Sequence, residues 1–399
     1  MLPQYREPFN RNFKPEHYAR FLQHLNQRCG AEVTFRNSET PCFYAPGLLQ
    51  QMADAGADMT ERLAGDKEYL AAADNSIPAK FRVPEVSARP LFVQADFGII
   101  RNAAGQIEPR LVEIQGFPSL YAYQIELART YAEAYRLPDE LTPLLGGRNP
   151  ETYRKLVRAA ILGEHDPENV VLLEIDPWQQ KTLADFLLTE KMCGVRTVDV
   201  RDVRKEGTRL VYKRDGRTIP IHRIYNRVIA DELVRKQIPL GFDFRDELQV
   251  EWAGHPNWFF RLSKFSLPYL RHPFVPRSQF LDQVQELPPD LDNVVLKPLF
   301  SFAGLGVIIG PTRQEIDAIP AEQRGNYLLQ DRVHFEPVIA TPHGATYTEV
   351  RIMYIWAEKL EAVTTIIRMG RGKMMGVDQN RDLEWVGASA GFMPDPMLR

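Results

Sequence analysis

The sequence predicts an α+β protein with an α/β lobe, and three stretches carry that prediction. Residues 1–90 read as mainly helical, residues 169–200 as strand, helix and strand, and the chain from about 245 onward as strands mixed with short helices. At 399 residues the chain is too long for one compact core and suits two or three lobes sharing interfaces.

The helical start rests on the apolar periodicity of HYARFLQHLNQR (17–28) and LLQQMADAGADMTERLA (48–64). The alternating run LFVQADFGII (91–100), a turn over Asn102 to Gly105, and RLVEIQG (110–116) predict a β-hairpin with an enlarged loop. A helix follows over 122–136. NVVLLEI (169–175) is a continuous apolar strand, 178–194 an amphipathic helix closed by Gly194, and VRTVDV (195–200) a second strand, together a βαβ unit and hence a parallel sheet. RLVYKRDGRTIPIHRIYNRV (209–228) supplies a hairpin around Asp215-Gly216 and a further strand. Beyond it, 258–271 reads as a short helix or two and 293–311 as strand, glycine loop, strand. The runs 327–333, 348–357 and 359–372 read as strands, the last two as antiparallel neighbours.

Composition excludes several classes. Apolar (44%) and charged (25%) fractions are those of an ordinary globular protein. A net charge of -3 gives no general pull toward nucleic acid or an anionic membrane. The start MLPQYREPFN lacks a basic region followed by an apolar stretch, and no apolar run approaches the ~20 residues that span a bilayer. Cys29, Cys42 and Cys193 are scattered, odd in number and without a CxxC, which argues against a disulfide framework or structural zinc. The cytoplasm is the expected compartment. The histidines do not cluster at ligand spacing, and no Cys–His or Ser–His–Asp set stands out.

The hairpin at 91–116 carries the most chemistry. Glu113 and Gln115 are two apart on a strand, so both leave the same face. If the hairpin pairs symmetrically about Ala104 and Gly105, Asp96 falls opposite Glu113. Two carboxylates facing across a ladder repel, and a divalent cation between them reverses that sign. Carboxylates with an amide oxygen suit magnesium; the alternative is a hairpin whose acids face water. In NVVLKPLFSFAGLGVIIGP (293–311), Lys297 ends an apolar strand, and Gly304 and Gly306 let backbone N–H groups approach an anion. That describes a phosphate cradle or, equally, a surface lysine before a tight turn. Lys264 sits on a short helix as an ordinary amphipathic lysine. YLLQDRV is either a hinge whose backbone meets an adenine edge or a buried strand. Arg368, Arg371 and Lys373 are suited to phosphoryl groups or to water. The aromatic residues of FPSLYAYQ (117–124) and Gln124 either line a substrate site or pack the following helix.

The set and order of these pieces resemble the ATP-grasp superfamily. That superfamily has a first lysine, a strand with a second lysine and glycine loop, a hinge, a strand pair with an arginine, and a D…ExN metal hairpin. Here stand Lys264, Lys297 with its loop, the hinge-like LLQDRV, then Glu349, Arg351, Arg368 and Asn380. The metal hairpin comes first instead of last, which resembles the circularly permuted branch of glutathionylspermidine synthase and eukaryotic-type glutathione synthetase. IHRIYNRV (221–228) and HPNWFFRLSK (255–264) add to the resemblance, which spans roughly 90 to 392.

Beyond the helical region over 1–90, which periodicity predicts, the resemblance implies a metal-binding hairpin with its helix over 91–136, belonging to the ATP-grasp core. It implies a Rossmann-like pre-ATP-grasp domain over 137–245 and nucleotide-binding lobes over 246–399. It further implies ATP and Mg2+ as cofactors. Lys264, Lys297, Ser301, Gly304, Gly306, Gln330, Asp331 and Val333 would hold the nucleotide, with 302–306 closing over it. Asp96, Glu113 and Gln115 would hold metal, and Arg351, Arg368 and Asn380 would serve catalysis. A carboxylate substrate would attack the γ-phosphorus, and an amine would displace phosphate from the acyl phosphate. Both substrates would be small molecules or peptides. Two departures stand: Gln115 replaces the family's asparagine, and Gln94 replaces an arginine two residues before Asp96, leaving Arg101, Arg227 or Arg368 to substitute. The rivals are a phosphotransferase and a non-catalytic nucleotide-binding scaffold.

Overall fold

The computed structural model of the chain describes residues 1–301, 304–376, 380 and 382–398. A five-stranded sheet, the central sheet, joins distant parts of the sequence. Its strand order runs Gly387–Ser389, Leu360–Gly370, Tyr347–Trp356, Phe92–Arg101, Ile107–Gln115, all antiparallel. Alternation sorts its two faces. Val93, Ala95, Phe97, Val350, Ile352 and Tyr354 pack one face against the helix Pro46–Gly65, whose Leu49, Met52 and Met59 share their core. Gln94, Asp96, Glu113, Gln115, Glu349, Arg351 and Arg368 therefore project from the other face.

A second, four-stranded sheet carries Lys297 and is called here the lysine sheet. Its order is Ser278–Phe280, Tyr327–Asp331, Val294–Pro298, Ile308–Ile309. Leu296 and Leu329 face a small core with Ile316, while Val295, Lys297 and Gln330 face the cleft toward the central sheet.

The βαβ expectation corresponds to a parallel sheet, ordered Glu251–Ala253, Arg223–Asn226, Val170–Glu174, Arg196–Asp199. Val170 and Leu172 meet helices Pro150–Leu162 and Leu183–Cys193, and Val171 and Leu173 meet the 198–250 region. Burial on both faces is why this strand reads as an unbroken apolar run. The helix predicted from 178 begins at Leu183, after a 3-10 turn at Pro177–Gln179, because Gln180 is extended (φ -75°, ψ 138°) and separates the turn from the helix. Gly194 ends it in the left-handed conformation (φ 78°).

The N-terminal region is helical at Pro3–Asn12, Pro15–Cys29, Pro46–Gly65 and Lys67–Ser76, but 30–45 is not. In that interval Cys42 and Phe43 pair in parallel with Gly391 and Phe392, tying the two ends of the chain together. Among the described residues no helix is long and apolar enough to cross a membrane. The three cysteines are free and buried.

Candidate active site

The central and lysine sheets enclose a cleft of about 550 Å³. Residues from the hairpin, the lysine strand and the late strand pair all line it, although as many as 272 residues separate them in sequence.

The hairpin expectation needs one amendment. Asp96 does stand opposite Glu113, but the pairing nearer the turn (Phe97 with Leu111, Arg101 with Ile107) is centred on Ala104. A bulge beside Asp96 then shifts the register by one residue, which puts Glu113 and not Val112 across from Asp96. Arg351 lies across from Asp96 on its other side, and Glu349 stands opposite Arg368.

Asp96 is fully engaged. Arg351 donates Nε to Oδ1 (2.5 Å) and Nη2 to Oδ2 (2.6 Å), and Arg368 Nη2 donates to Oδ2 (2.5 Å). Burial works to raise this carboxyl, but the two guanidinium groups outweigh it and hold it below its ordinary value. Arg351 also donates to Gln94 Oε1 (2.9 Å), and Gln94 Nε2 donates to the Ser119 carbonyl (2.8 Å). Arg351, from the neighbouring strand, thus sets a guanidinium against both Gln94 and Asp96. Of the three named substitutes, only Arg368 reaches Asp96. Arg101 pairs with Glu336 away from the cleft, and Arg227 lies over the rings of Phe117 and Phe186.

Glu113 accepts a hydrogen bond from Gln115 Nε2 and lies 3.7 Å from Lys264 Nζ. Burial opposes its ionisation, but Lys264 and Lys297 prevail and keep it below the usual range. Gly116 makes the approach of Lys264 possible: its N–H donates to the Leu262 carbonyl (2.8 Å), and a Cβ there would stand 2.3 Å from the Trp258 carbonyl oxygen. Lys264 Nζ also donates to the Ser301 carbonyl (2.6 Å), and Lys297 Nζ donates to the Val112 carbonyl (3.1 Å). Burial, reinforced by Lys264, brings Lys297 down to about 8.

Glu349 belongs with this group, although the sequence reading gave it no role. Burial, with Asp96 and Glu113 nearby, pushes its carboxyl up to about 7 against the pull of Arg368, whose Nη2 is 2.7 Å away. The available signal was an acid and a base at 349 and 351, on one face of an otherwise apolar strand. Arg368 Nε has no hydrogen-bond partner.

Other expected residues divide. Gln330 and Val333 line the cleft, as does Gly304. The segment Val333–Phe335 packs over Gly98, where a Cβ would meet Phe335 at 2.7 Å. Asp331 is exposed and not among the cleft's lining residues, and Gly306 abuts Pro298. Phe302 and Ala303, part of the expected closing loop, lie outside the described residues. Asn380 is not at the cleft wall. Its Oδ1 accepts from the Arg371 N–H (3.1 Å) and its Nδ2 donates to the Met374 carbonyl (3.0 Å), so it fixes the 371–376 loop that does line the cleft. Tyr121, Tyr123 and Gln124 are buried in packing, and only Phe117 approaches Glu113 and Lys264.

Among the described residues the cleft is lined by eight basic and three acidic side chains, in a chain of net charge -3. That segregation suits a polyanion. No three acidic, histidine or cysteine side chains among the described residues cage an ion by themselves. The donors Glu113, Gln115 and Glu349 are all oxygen, and Glu349, raised first by burial and then by Asp96 and Glu113, would be relieved by a divalent cation. Such a set fits magnesium, which takes one or two carboxylates and fills its shell with waters and phosphate oxygens.

No protein-family model matches the sequence, and neither does any curated protein. Among solved structures, a glutathione synthetase-like effector from Globodera pallida in apo form aligns with TM-score 0.59 at 10% identity. The alignment covers 96% of this chain and 99% of that one. The fold is therefore that of a glutathione synthetase-like protein over nearly the whole length.

Proposed function

We propose that this chain is an ATP- and Mg2+-dependent ligase of the circularly permuted ATP-grasp type, joining a carboxylate to an amine with release of ADP and phosphate. One observation carries the reading: the acidic hairpin meets Lys264 and Lys297 in a single buried, cation-rich cleft. The glutathione synthetase-like fold supports it independently.

In this reading Lys264 and Lys297 hold phosphates of ATP, and Val333 and its neighbours hold the base. Glu113, Gln115 and Glu349 would hold magnesium, which would supply charge neutralisation to the phosphoryl group. Arg368, which lines the same cleft and has an unspent Nε donor, adds positive charge for the same group. A substrate carboxylate oxygen attacks the γ-phosphorus and ADP leaves; the amine nitrogen then attacks the acyl carbon and expels phosphate. The chain's task is positioning and charge balance, and no side-chain nucleophile is needed.

Arg227 supports an acidic substrate. It is buried at the carboxyl end of its parallel strand, where such sheets take ligands, and its Nε and Nη1 lack partners. The same ends carry Glu174, pushed up to about 8 by burial despite Arg227.

A second reading, nucleotide binding without turnover, draws on the complete occupation of Asp96 by two arginines. A screen of amino acids, small peptides and polyamines for ADP release with Mg-ATP separates the readings. Release that needs an amine supports the ligase, and a lasting phosphorylated product indicates a phosphotransferase. Binding without ADP from any pool indicates the scaffold.

A further inference from the structure

We propose that Asp185, a buried carboxylate of the α/β lobe, is a positioning residue for the metal-holding end of the hairpin, acting through the corner 116–120. The inference rests on the ligase reading above and adds to it a residue that touches neither nucleotide nor metal. Asp185 lies in the first turn of the helix Leu183–Cys193 and is fully buried. Its Oδ1 accepts from the N–H groups of Ala122 (3.0 Å) and Tyr123 (2.9 Å), and its Oδ2 from that of Leu120 (3.1 Å). Ala122 and Tyr123 belong to the first turn of the helix Tyr121–Tyr135, whose flanking residue Leu120 offers no side-chain cap. A helix leaves its first N–H groups without partners, and the oxygen that meets them normally comes from the residue just before it. Here it comes from a second helix, 65 residues beyond Leu120.

Leu120 is held in the left-handed region (φ 64°), which a residue other than glycine keeps only where its surroundings enforce it. Asp185 enforces it by gripping the N–H of Leu120 and those of the helix beyond with one carboxylate. Burial raises this carboxyl, with Arg227 and the three N–H groups working against it. A serine or aspartate at position 120 would cap the helix alone. The cap from Asp185 also ties the α/β lobe to the chain that leaves the metal strand.

That corner meets the site along its whole length. Directly after Gln115, the Gly116 N–H donates to the Leu262 carbonyl (2.8 Å). Phe117 lies under the Arg227 guanidinium (5.0 Å to the ring centre) and borders Glu113 and Lys264. The Ser119 carbonyl accepts from Gln94 Nε2 (2.8 Å), Gln94 Oε1 accepts from Arg351 Nη1 (2.9 Å), and Arg351 holds Asp96. Release of Leu120 would draw Ser119 off Gln94 and slacken the strand end that carries Glu113 and Gln115. Groups that hold metal ligands in place, without touching the metal, typically contribute about 10- to 100-fold to its affinity.

The test measures ATP affinity of the full chain by calorimetry, first in EDTA and then across a Mg2+ titration, beside thermal unfolding. Asp185→Asn turns an amide donor toward three N–H groups. It should raise the Mg2+ concentration that gives half the gain in ATP affinity about tenfold. Affinity in EDTA should stay within about twofold, because Lys264 and Lys297 are untouched. Glycine takes the left-handed conformation freely, so adding Leu120→Gly should return the Mg2+ requirement to within about threefold of the wild type. Gln94→Met cuts the corner from Arg351 and leaves the helix cap whole. It should raise the requirement by a similar factor even if Asp185→Asn does not fold. An unchanged requirement in Asp185→Asn or in Gln94→Met, whatever the unfolding temperature, overturns the positioning role and leaves Asp185 a structural cap. A raised requirement that Leu120→Gly does not recover overturns the action through the corner. ATP affinity that Mg2+ never alters in the wild type removes the metal reading of the hairpin and this inference with it.

Discussion

Two concave regions of the molecule differ in a way that volume does not capture. The larger, about 860 Å³, runs along the Glu251–Ala253 edge of the parallel sheet and is lined by His165, His222, Arg223 and Glu251. Its central acid, Glu251, pairs with Arg223 (2.5 Å) and His165 (3.2 Å) while its side chain stays 60% exposed. Pairs of that kind are screened and contribute little. The smaller cleft buries Asp96 and Glu349, and half-buries Glu113, among Lys264, Lys297, Arg351 and Arg368, and leaves donors on Arg368 and Gln330 unspent. Buried charge held in excess, not size, distinguishes a site built for a ligand.

The contrast is open to direct attack. The largest effect is expected at Asp96, where Asp96→Asn leaves Arg351 and Arg368 without their buried counter-charge. Urea unfolding should show a loss of about 3–5 kcal/mol, and a change under 1 kcal/mol would mean the triad is not held as described. Next comes Lys297→Met, which should weaken Mg-ATP binding roughly 30-fold or more by calorimetry, since a buried charge partner is lost.

Raising the pH through about 8 should produce a smaller effect of the same kind. Burial brings Lys297 from its ordinary 10.5 to about 8 in the folded chain. Between those values the unfolded chain binds a proton that the folded chain does not, so this group's contribution to stability rises with pH. Nucleotide affinity should move the opposite way, falling several-fold as the lysine loses its charge. The smallest effect belongs to the groove. His222→Ala, at an exposed position, should alter ADP release by less than about twofold, and a large loss would return the groove to consideration.

Local patterns in the sequence gave the hairpin, the βαβ unit and the lysine strand, because period and turn residues determine such elements over short distances. The facing of Asp96 and Glu113 was legible too, although a bulge that no pattern announces produces it. Convergence was harder. Nothing local says that Gly116 lets the 258–264 segment close on Glu113, or that Arg351 reaches across from the next strand to Gln94 and Asp96. Asn380 was placed with the catalytic residues by the order of the resemblance alone. Only the fold shows its amide tied to the backbone of its own loop.

The most direct measurement is ADP formation by Glu113→Ala beside the wild-type chain, with Mg-ATP and whichever acid and amine stimulate turnover. A single shared cleft requires about a 10³-fold loss with thermal unfolding unchanged. Turnover that survives the substitution would mean that the early hairpin and the late lysines do not act on one nucleotide.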